Sequence, residues 1–246
     1  MLEGKLLGKV AIVTGSSRGI GSASAQRLSD DGATIVVNYA GRSDKAQEVV
    51  AQIEAKGRSA IALQADVSKT ADIQRLFDRT LDKFGKVDIL VNNAAGVNVF
   101  KPTAAMTEDE YNSMFDITRG VYFALQQAAH HLADNGRIIS ISTSGTAMAI
   151  PAGGAYAGSK AAIEHFSAAL AKELGGRGIT VNTVSPGVTN TDGLVLEQAQ
   201  VDQLIAQTPL GRLGQPSDLA NAIAMLVSDD AHWITGQSIR ANGGIV

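Results

Sequence analysis

Short apolar runs alternate with segments of helical spacing along most of the chain. The runs that we interpret as buried strands cover residues 9–15, 34–38, 59–66, 87–93, 137–142, 179–186 and 237–244. Between them, apolar residues recur every three or four positions, which predicts helices over residues 19–31, 43–56, 70–84, 108–133, 155–174 and 216–228. Gly32 and Gly57 end the first two helices.

Strands that are apolar on both faces and separated by helices are typical of a parallel sheet that is covered on both sides. The crossovers between such strands are right-handed. No Pro- or Gly-rich linker, internal repeat or low-complexity tract interrupts the series. We therefore expect an α/β fold in which residues 1–246 form one doubly wound domain.

Composition narrows the classes of function. The 246 residues carry a formal net charge of -3 with acids and bases interspersed, so we expect no nucleic-acid partner. Cysteine is absent, which removes disulfides, thiolate nucleophiles and cysteine metal ligands. No apolar stretch has the length of a signal peptide or a membrane span, so we expect a cytoplasmic protein with no membrane attachment.

A glycine-rich turn, TGSSRGIG at 14–21, follows the first strand. Gly15, Gly19 and Gly21 would let the backbone approach a pyrophosphate, which would lie at the amide-rich N-terminus of the first helix. The spacing is Gly-x-x-x-Gly-x-Gly, and such a turn can also be only a tight connection. Its place between a strand and a helix favours a dinucleotide site.

The end of the second strand indicates which dinucleotide would bind. An NAD site usually has an acidic residue there that binds the adenosine ribose, whereas this chain has Asn38. Arg18 in the glycine turn and Arg42 beyond the strand would suit the ribose 2′-phosphate of NADP(H), which a carboxylate would repel. Two solvated surface charges are the alternative interpretation. The charge pattern favours NADP(H).

Five segments, in order along nearly the whole chain, resemble motifs of the short-chain dehydrogenase/reductase family. They are TGSSRGIG (14–21), NNAAG (92–96), YAGSK (156–160), SPG (185–187), and RLGQPSDLA (212–220) with the closing ANGG. The C-terminal segments resemble the carbonyl-reducing and β-ketoacyl-reducing branch. The resemblance implies a Rossmann-like sheet of about seven strands with helices on both faces, a nicotinamide cofactor and a homotetramer.

The glycine turn and the resemblance together predict the cofactor-binding residues. In the first half of the chain these are Gly15, Ser17, Arg18, Gly19, Ile20, Gly21, Asn38, Tyr39, Ala40, Arg42, Asp66, Val67, Asn93, Ala94, Ala95 and Gly96. In the second half they are Tyr156, Lys160, Pro186, Gly187, Val188, Thr189 and Thr191. Of these, Thr189 and Thr191 would bind the cofactor's carboxamide or phosphate.

Tyr156 and Lys160 are four residues apart and would lie on one face of a helix. A phenol with its usual pKa of about 10 is a slow acid–base group at neutral pH, and a nearby ammonium would lower that pKa. We therefore predict that Tyr156 gives a proton to a carbonyl oxygen as hydride reaches the carbonyl carbon. The resemblance gives Lys160 a second role, binding the hydroxyls of the nicotinamide ribose. A surface tyrosine lying over a lysine stem is the alternative.

A hydroxyl that orients the carbonyl oxygen is expected just after the fifth strand. The family usually has a serine thirteen residues before the tyrosine, and here that position is Thr143, next to Ser142. Threonine supplies the same donor with a stiffer χ1. We predict Thr143 in this role and keep Ser142 as the alternative, since hydroxyl runs at strand ends also form turns.

One position departs from the family's pattern. The family commonly has an asparagine three residues before a glycine in the helix after the fourth strand, where it supports a water that passes protons to the lysine. Here Ile117 stands three residues before Gly120. Thr118 or Asp116 would have to replace the asparagine through a shifted helical register.

Four other acidic and histidine side chains are assigned no role in catalysis or metal binding. Glu164 and His165 follow the lysine, and we expect both to face away from Tyr156. His130 and His131 are adjacent, so they would point apart on a helix, and we predict no metal site.

The segment after the sixth strand is expected to form a lid over the substrate, across about 187–215. Leu194, Val195 and Leu196 would give that lid an apolar inner face, although a helix facing the core would have a similar pattern.

The sequence thus predicts an NADPH-dependent carbonyl reductase, reversible as an alcohol dehydrogenase, that acts on a partly apolar ketone or aldehyde. A β-ketoacyl carrier-protein reductase is the alternative within the same class. A non-catalytic NADP(H)-binding sensor is the alternative from another class, because the helix asparagine is missing and threonine stands in the serine position.

Overall fold

The computed structural model describes residues 4–194 and 196–246. Seven strands in these residues form one sheet: β1 (Val10–Val13), β2 (Thr34–Tyr39), β3 (Ala60–Gln64), β4 (Val87–Asn92), β5 (Leu132–Ile141), β6 (Thr180–Pro186) and β7 (Ser238–Ala241). Their order is β3-β2-β1-β4-β5-β6-β7, and every pairing is parallel. This confirms the predicted α/β fold with a doubly wound sheet.

Helices cover both faces of the sheet. Those in the described residues are α1 (Gly19–Asp30), α2 (Ser43–Glu54), α3 (Thr70–Phe84), α4 (Glu108–His131), α5 (Gly154–Leu174), α6 (Gln198–Gln207) and α7 (Pro216–Val227). The apolar faces of α1, α2 and α7 pack on one side of the sheet, and those of α3, α4 and α5 on the other. None of the described helices combines the length and apolar character needed to cross a bilayer.

Two elements differ from the sequence-based expectation. β5 begins at Leu132, five residues before the predicted start, because Leu132 pairs with Val87 across an irregular stretch of the ladder. The residues that follow Leu132 within β5, Ala-Asp-Asn-Gly at 133–136, carry no strand pattern. Helix α6 lies within the segment predicted as a lid. Its apolar residues Val201, Leu204 and Ile205 have the spacing of one helical face, and they are only half-buried.

The carboxyl ends of the parallel strands meet at one edge of the sheet. β1 and β4 are neighbours there although two strands separate them in sequence, and ligands of such sheets bind at this kind of switch point. The glycine turn follows β1, NNAAG follows β4, Thr143 follows β5 and SPG ends β6. The fold therefore brings most of the predicted motifs to one edge.

Candidate active site

The glycine turn packs tightly against the end of β4. Gly15 has φ +60, and a Cβ on it would lie 2.7 Å from the Cα of Ala94. A Cβ on Gly21 would lie 2.4 Å from Nδ2 of Asn93, which itself donates to the carbonyl of Gly15 at 3.1 Å. Only glycine fits these positions, so the backbone of the turn is held in place and open to a ligand at the start of α1.

Asn38 is buried beneath the same turn. Its Oδ1 accepts a hydrogen bond from the amide of Gly15 at 3.1 Å, and its Nδ2 donates to the carbonyls of Ala65 at 3.0 Å and Leu63 at 3.3 Å. The side chain predicted to lie at the ribose is therefore committed inside the fold. Its contribution to a cofactor site is to hold the turn, while its position leaves the end of β2 without a carboxylate.

Two exposed arginines lie beside that end of the sheet. Arg18 immediately precedes α1, and Arg42 immediately precedes α2. The guanidinium of Arg42 lies 3.4 Å from the carboxylate of Asp44, and this hydrogen bond lowers the pKa of Asp44. Since β1 and β2 are parallel neighbours, the two cations belong to the same edge of the sheet.

The loop after β3 contains Asp66 and Val67. The Asp66 carboxylate accepts hydrogen bonds from the hydroxyl of Ser68 at 2.7 Å and from its amide at 3.0 Å, and the first of these is the main cause that lowers the pKa of Asp66. Val67 is buried, and a Cβ on Gly120 of α4 would lie 1.8 Å from the Val67 carbonyl oxygen. Glycine at 120 therefore lets α4 pack directly on this loop.

The segment after β6 lies over the start of α1. Thr189 is buried and pairs with Gly214 in an isolated parallel bridge. A Cβ on Gly19 would lie 3.7 Å from Cγ2 of Thr191, so Thr191 contacts the space above the glycine turn. Of the predicted apolar lid residues, Leu196 is exposed and Val195 lies outside the described residues.

Tyr156 lies in the first turn of α5, where burial raises the pKa of its phenol and the Thr143 hydroxyl, as a hydrogen-bonding partner, opposes that rise. The expected lowering of this pKa by Lys160 is wrong for this structure. The ammonium of Lys160 donates instead to the carbonyl of Ile141 at 3.3 Å, and desolvation outweighs the remaining influences on the phenol.

Lys160 and Tyr156 are both half-buried. Burial lowers the pKa of its ammonium to about 8, because the charged form loses its hydration. With that pKa, about nine-tenths of the lysine is still charged at pH 7. The site therefore holds a protonated phenol and a largely protonated amine side by side.

The two candidate hydroxyls after β5 have different partners. Thr143 caps a short helical turn, Ser144–Ala147, with its Oγ1 accepting from the amide of Gly145 at 3.2 Å. The same hydroxyl is the partner that opposes the rise in the pKa of the Tyr156 phenol. Ser142 is buried and donates to the carboxylate of Glu164 at 2.6 Å. Of the two, the structure brings Thr143 together with the phenol.

The expectation that Glu164 faces away from the site is wrong. Tyr156, Lys160 and Glu164 follow one another at steps of four residues, which keeps all three near one stripe of α5. Glu164 lies on that stripe and accepts a hydrogen bond from Ser142 at the end of β5, whereas His165 is exposed. The step of eight residues from Tyr156 was the sequence signal that could have identified it.

Helix α4 presents Thr118 one residue after Ile117, which occupies the position of the family's asparagine. Thr118 is buried, and its hydroxyl donates to the carbonyl of Ser159 at 3.2 Å. Asp116 instead pairs with Arg119 at 3.1 Å on the outside of the helix. A cavity of about 10 Å³ adjoins Thr118, and its lining also includes Ile117, Tyr156, Ser159 and Lys160. That volume is about enough for one water molecule.

Sequence reasoning missed an aromatic residue at the mouth of the site. The ring centroid of Phe100 lies 5.1 Å from that of Tyr156, with the planes tilted by 48°. Phe100 is 51% exposed, and Val97 and Met148 are exposed as well. A phenylalanine in an irregular loop carries no periodic signal, so only the folded chain reveals this contact.

Comparison with known proteins gives a family match over most of the chain. The family model described as enoyl-(acyl carrier protein) reductase matches residues 15–246. The hydroxynaphthalene reductase-like protein Arp2 of Metarhizium brunneum is 41% identical over 259 residues, which cover 98% of this chain and 96% of that protein.

Solved structures agree with the match. A short-chain dehydrogenase from Burkholderia cenocepacia J2315 in complex with NADP has a TM-score of 0.93 and 40% identity, over 98% of this chain and 99% of that chain. The angucycline C-6 ketoreductase LanV with bound NADP has a TM-score of 0.93 and 37% identity, over 99% of this chain and 97% of the other.

Proposed function

The chain belongs to the short-chain dehydrogenase/reductase family, and from that premise we propose that it is an NADPH-dependent oxidoreductase that reduces a ketone or aldehyde to an alcohol, reversibly. The observation that carries the proposal is the grouping of the Tyr156 phenol with Lys160 and Thr143.

The residues around the glycine turn fit a dinucleotide with a 2′-phosphate. A Cβ at Gly15 or Gly21 would meet neighbouring atoms at 2.7 Å or less, so the turn packs tightly against the protein in one fixed backbone shape. Arg18 and Arg42 supply positive charge at an edge where β2 ends without a carboxylate. Both NADP complexes above are of relatives with this fold, which supports NADP(H) as the cofactor of this chain.

When bound, NADPH would supply the hydride. The Tyr156 phenol would hold the proton for the carbonyl oxygen, and its raised pKa keeps it protonated at neutral pH. Thr143 would donate to the same oxygen and so orient the substrate. Lys160 would bind the ribose hydroxyls, the role that the family resemblance assigns to it.

We further propose that Thr118 takes the place of the family's asparagine. Its hydroxyl already donates to the Ser159 carbonyl, and Thr118 lines a cavity that Lys160 also lines. A water there would accept from the Lys160 ammonium and donate to Thr118, which provides a route for returning a proton to the phenol.

The proposed substrate is a planar, partly apolar ketone with fused aromatic rings. The names of two relatives, a hydroxynaphthalene reductase-like protein and an angucycline ketoreductase, refer to such compounds. Phe100 beside Tyr156, with exposed Val97 lining a cavity next to the same tyrosine, would give a flat ring system an apolar surface to stack on.

A turnover assay with purified protein and NADPH tests the function. The substrates are a fused-ring ketone, a simple aliphatic ketone and a β-ketoacyl carrier-protein thioester, with Tyr156→Phe as the control. We expect turnover of the fused-ring ketone and a fall of about a hundredfold or more in the control. A strong preference for the thioester would instead support the carrier-protein reductase. NADPH binding with turnover no higher than in Tyr156→Phe would support the sensor.

We also propose the homotetramer that the family resemblance implies. A groove of about 510 Å³ runs between α4 and α5, lined among others by Phe115, Tyr122 and Phe166. Tyr122 is 49% exposed there, an unusual position for an aromatic side chain that faces only water. Light scattering should give four times the chain mass of 25.5 kDa, and Tyr122→Arg should reduce it.

A further inference from the structure

A carboxylate that the proposed reaction does not use lies behind the catalytic tyrosine. One oxygen of Glu164, Oε1, accepts hydrogen bonds from Ser142 at 2.6 Å, Thr146 at 2.8 Å and Ser185 at 3.1 Å. The three hydroxyls come from the end of β5, the short turn after it, and the end of β6. A single atom of α5 thus joins two strand ends at the catalytic edge of the sheet.

Two of the three hydroxyls that bond Glu164 lie on either side of Thr143 in the chain. Ser142 precedes it, and Thr146 closes the short turn that Thr143 caps, with the Thr146 hydroxyl also 2.9 Å from the Thr143 carbonyl oxygen. Both sides of Thr143 are therefore tied to Glu164. Its own hydroxyl is left to contact the amide of Gly145 and the Tyr156 phenol.

We propose that Glu164 is a positioning residue. Its carboxylate takes the Ser142 hydroxyl away from the substrate and holds the turn so that the Thr143 hydroxyl faces the Tyr156 phenol. The kinetic consequence rests on the proposed carbonyl reduction, whereas the positioning itself can be measured without turnover.

Two substitutions of Glu164 distinguish the effect of its hydrogen-bond acceptor from the effect of its negative charge. Because all three hydroxyls reach one oxygen, Glu164→Gln can keep these bonds with its amide oxygen, and we expect kcat within about threefold of wild type. Glu164→Leu removes the acceptor at similar volume, and we expect kcat to fall between about tenfold and a hundredfold with the Kd of NADPH changed much less. Glu173→Leu, an exposed glutamate on the same helix, is the matched control.

A double-mutant cycle tests whether Glu164 acts through Thr143. If it does, the fall in kcat caused by Glu164→Leu should disappear when Thr143 is already valine. A merely structural role predicts the same fold loss in both backgrounds, and that result would overturn the proposal.

Methyl NMR gives a readout that needs no substrate. In protein with labelled threonine methyls, Thr143→Val identifies the Thr143 resonance, which the nearby Tyr156 ring makes sensitive to movement. Glu164→Leu should shift this resonance while that of Thr80, buried in α3, stays in place. An unmoved Thr143 resonance would contradict the proposal even if kcat fell.

A second variant covers the case in which Glu164→Leu does not fold. Ser142→Ala with Thr146→Val keeps the carboxylate and removes its two partners that flank Thr143, so the same shift is expected. Ser185→Ala removes only the β6 partner and should shift the resonance less. If wild type reduces no carbonyl compound, the proposed function fails, and the resonances still decide the positioning role.

Discussion

The proposed cofactor end and the proposed proton-transfer end of this site are built by different means. At the glycine turn, close approach of backbone atoms decides the geometry: a Cβ at Gly15 or Gly21 would meet atoms at 2.7 Å or less. Around Tyr156, side-chain hydroxyls, one carboxylate and partial burial decide it. At the first end, an added atom would clash with its neighbours. At the second end, the positions of the side chains depend on which hydrogen-bond partner each polar group has.

The largest expected effect comes from adding one methyl group to the cofactor end. Gly21→Ala would put a Cβ 2.4 Å from Nδ2 of Asn93 and 2.6 Å from the Gly15 carbonyl oxygen. We expect the free energy of unfolding to fall by about 3 kcal/mol. We also expect the variant to lose its binding of NADPH at micromolar concentration. Urea denaturation and NADPH fluorescence measure the two effects.

Gly175→Ala is the matched control, because a Cβ there has open space and the residue has φ -56. It should leave NADPH binding unchanged. Equal binding losses in both variants would mean that the tight contacts do not set the shape of the turn.

The proton-transfer end should respond to pH through Lys160. Its pKa is about 8 in the folded protein and, at its usual value of about 10.4, higher in the unfolded chain. Between these values the unfolded chain binds the extra proton, so the free energy of unfolding should rise with pH. We expect Lys160 to contribute a gain of about 2 kcal/mol between pH 8 and 10.

Lys160→Met isolates this contribution, since it has no proton to bind. Urea denaturation across that pH range should show the gain in wild type relative to the variant. Parallel stability curves would show that Lys160 titrates at its ordinary pKa.

A smaller effect is expected at the edge of the cofactor end. Arg18→Ala should weaken the binding of NADPH by about tenfold more than the binding of NADH, because only NADPH carries the 2′-phosphate. Titration calorimetry with both cofactors measures the difference, and Arg79→Ala, an exposed arginine of α3, is the control. An equal loss for NADPH and NADH would place the guanidinium away from the 2′-phosphate.

The smallest effect concerns the cavity beside Lys160. Thr118→Val removes the hydroxyl at nearly constant shape, and we expect kcat to fall about threefold to tenfold with a similar loss in Thr118→Ala. Thr118→Ser keeps the hydroxyl and should retain wild-type kcat within about twofold. Presteady-state measurement of the proton step gives the test, and a valine variant as fast as wild type would remove Thr118 from the proposed route.

Much of the fold could be predicted because its signals are local and periodic. The bounds predicted for the third helix, 70–84, coincide with α3, and the bounds of β1 and β4 were predicted within two residues. β5 was predicted too short because Leu132 joins it by pairing with Val87, a contact distant in sequence. Helix α6 was not separated from the lid segment because its apolar face is short, formed by Val201, Leu204 and Ile205, and only half-buried.

By itself, the sequence determined the order of strands and helices, the glycine turn after β1 and the spacing of Tyr156 and Lys160 on one helical face. These features follow from short-range sterics and from the periods of the helix and the strand, which are written in neighbouring residues. Only the tertiary structure decided that Ser142 bonds Glu164, that Thr143 faces the phenol, and that burial raises the pKa of Tyr156. Hydrogen-bond partners and desolvation depend on which distant segments meet, and a linear pattern does not contain that information.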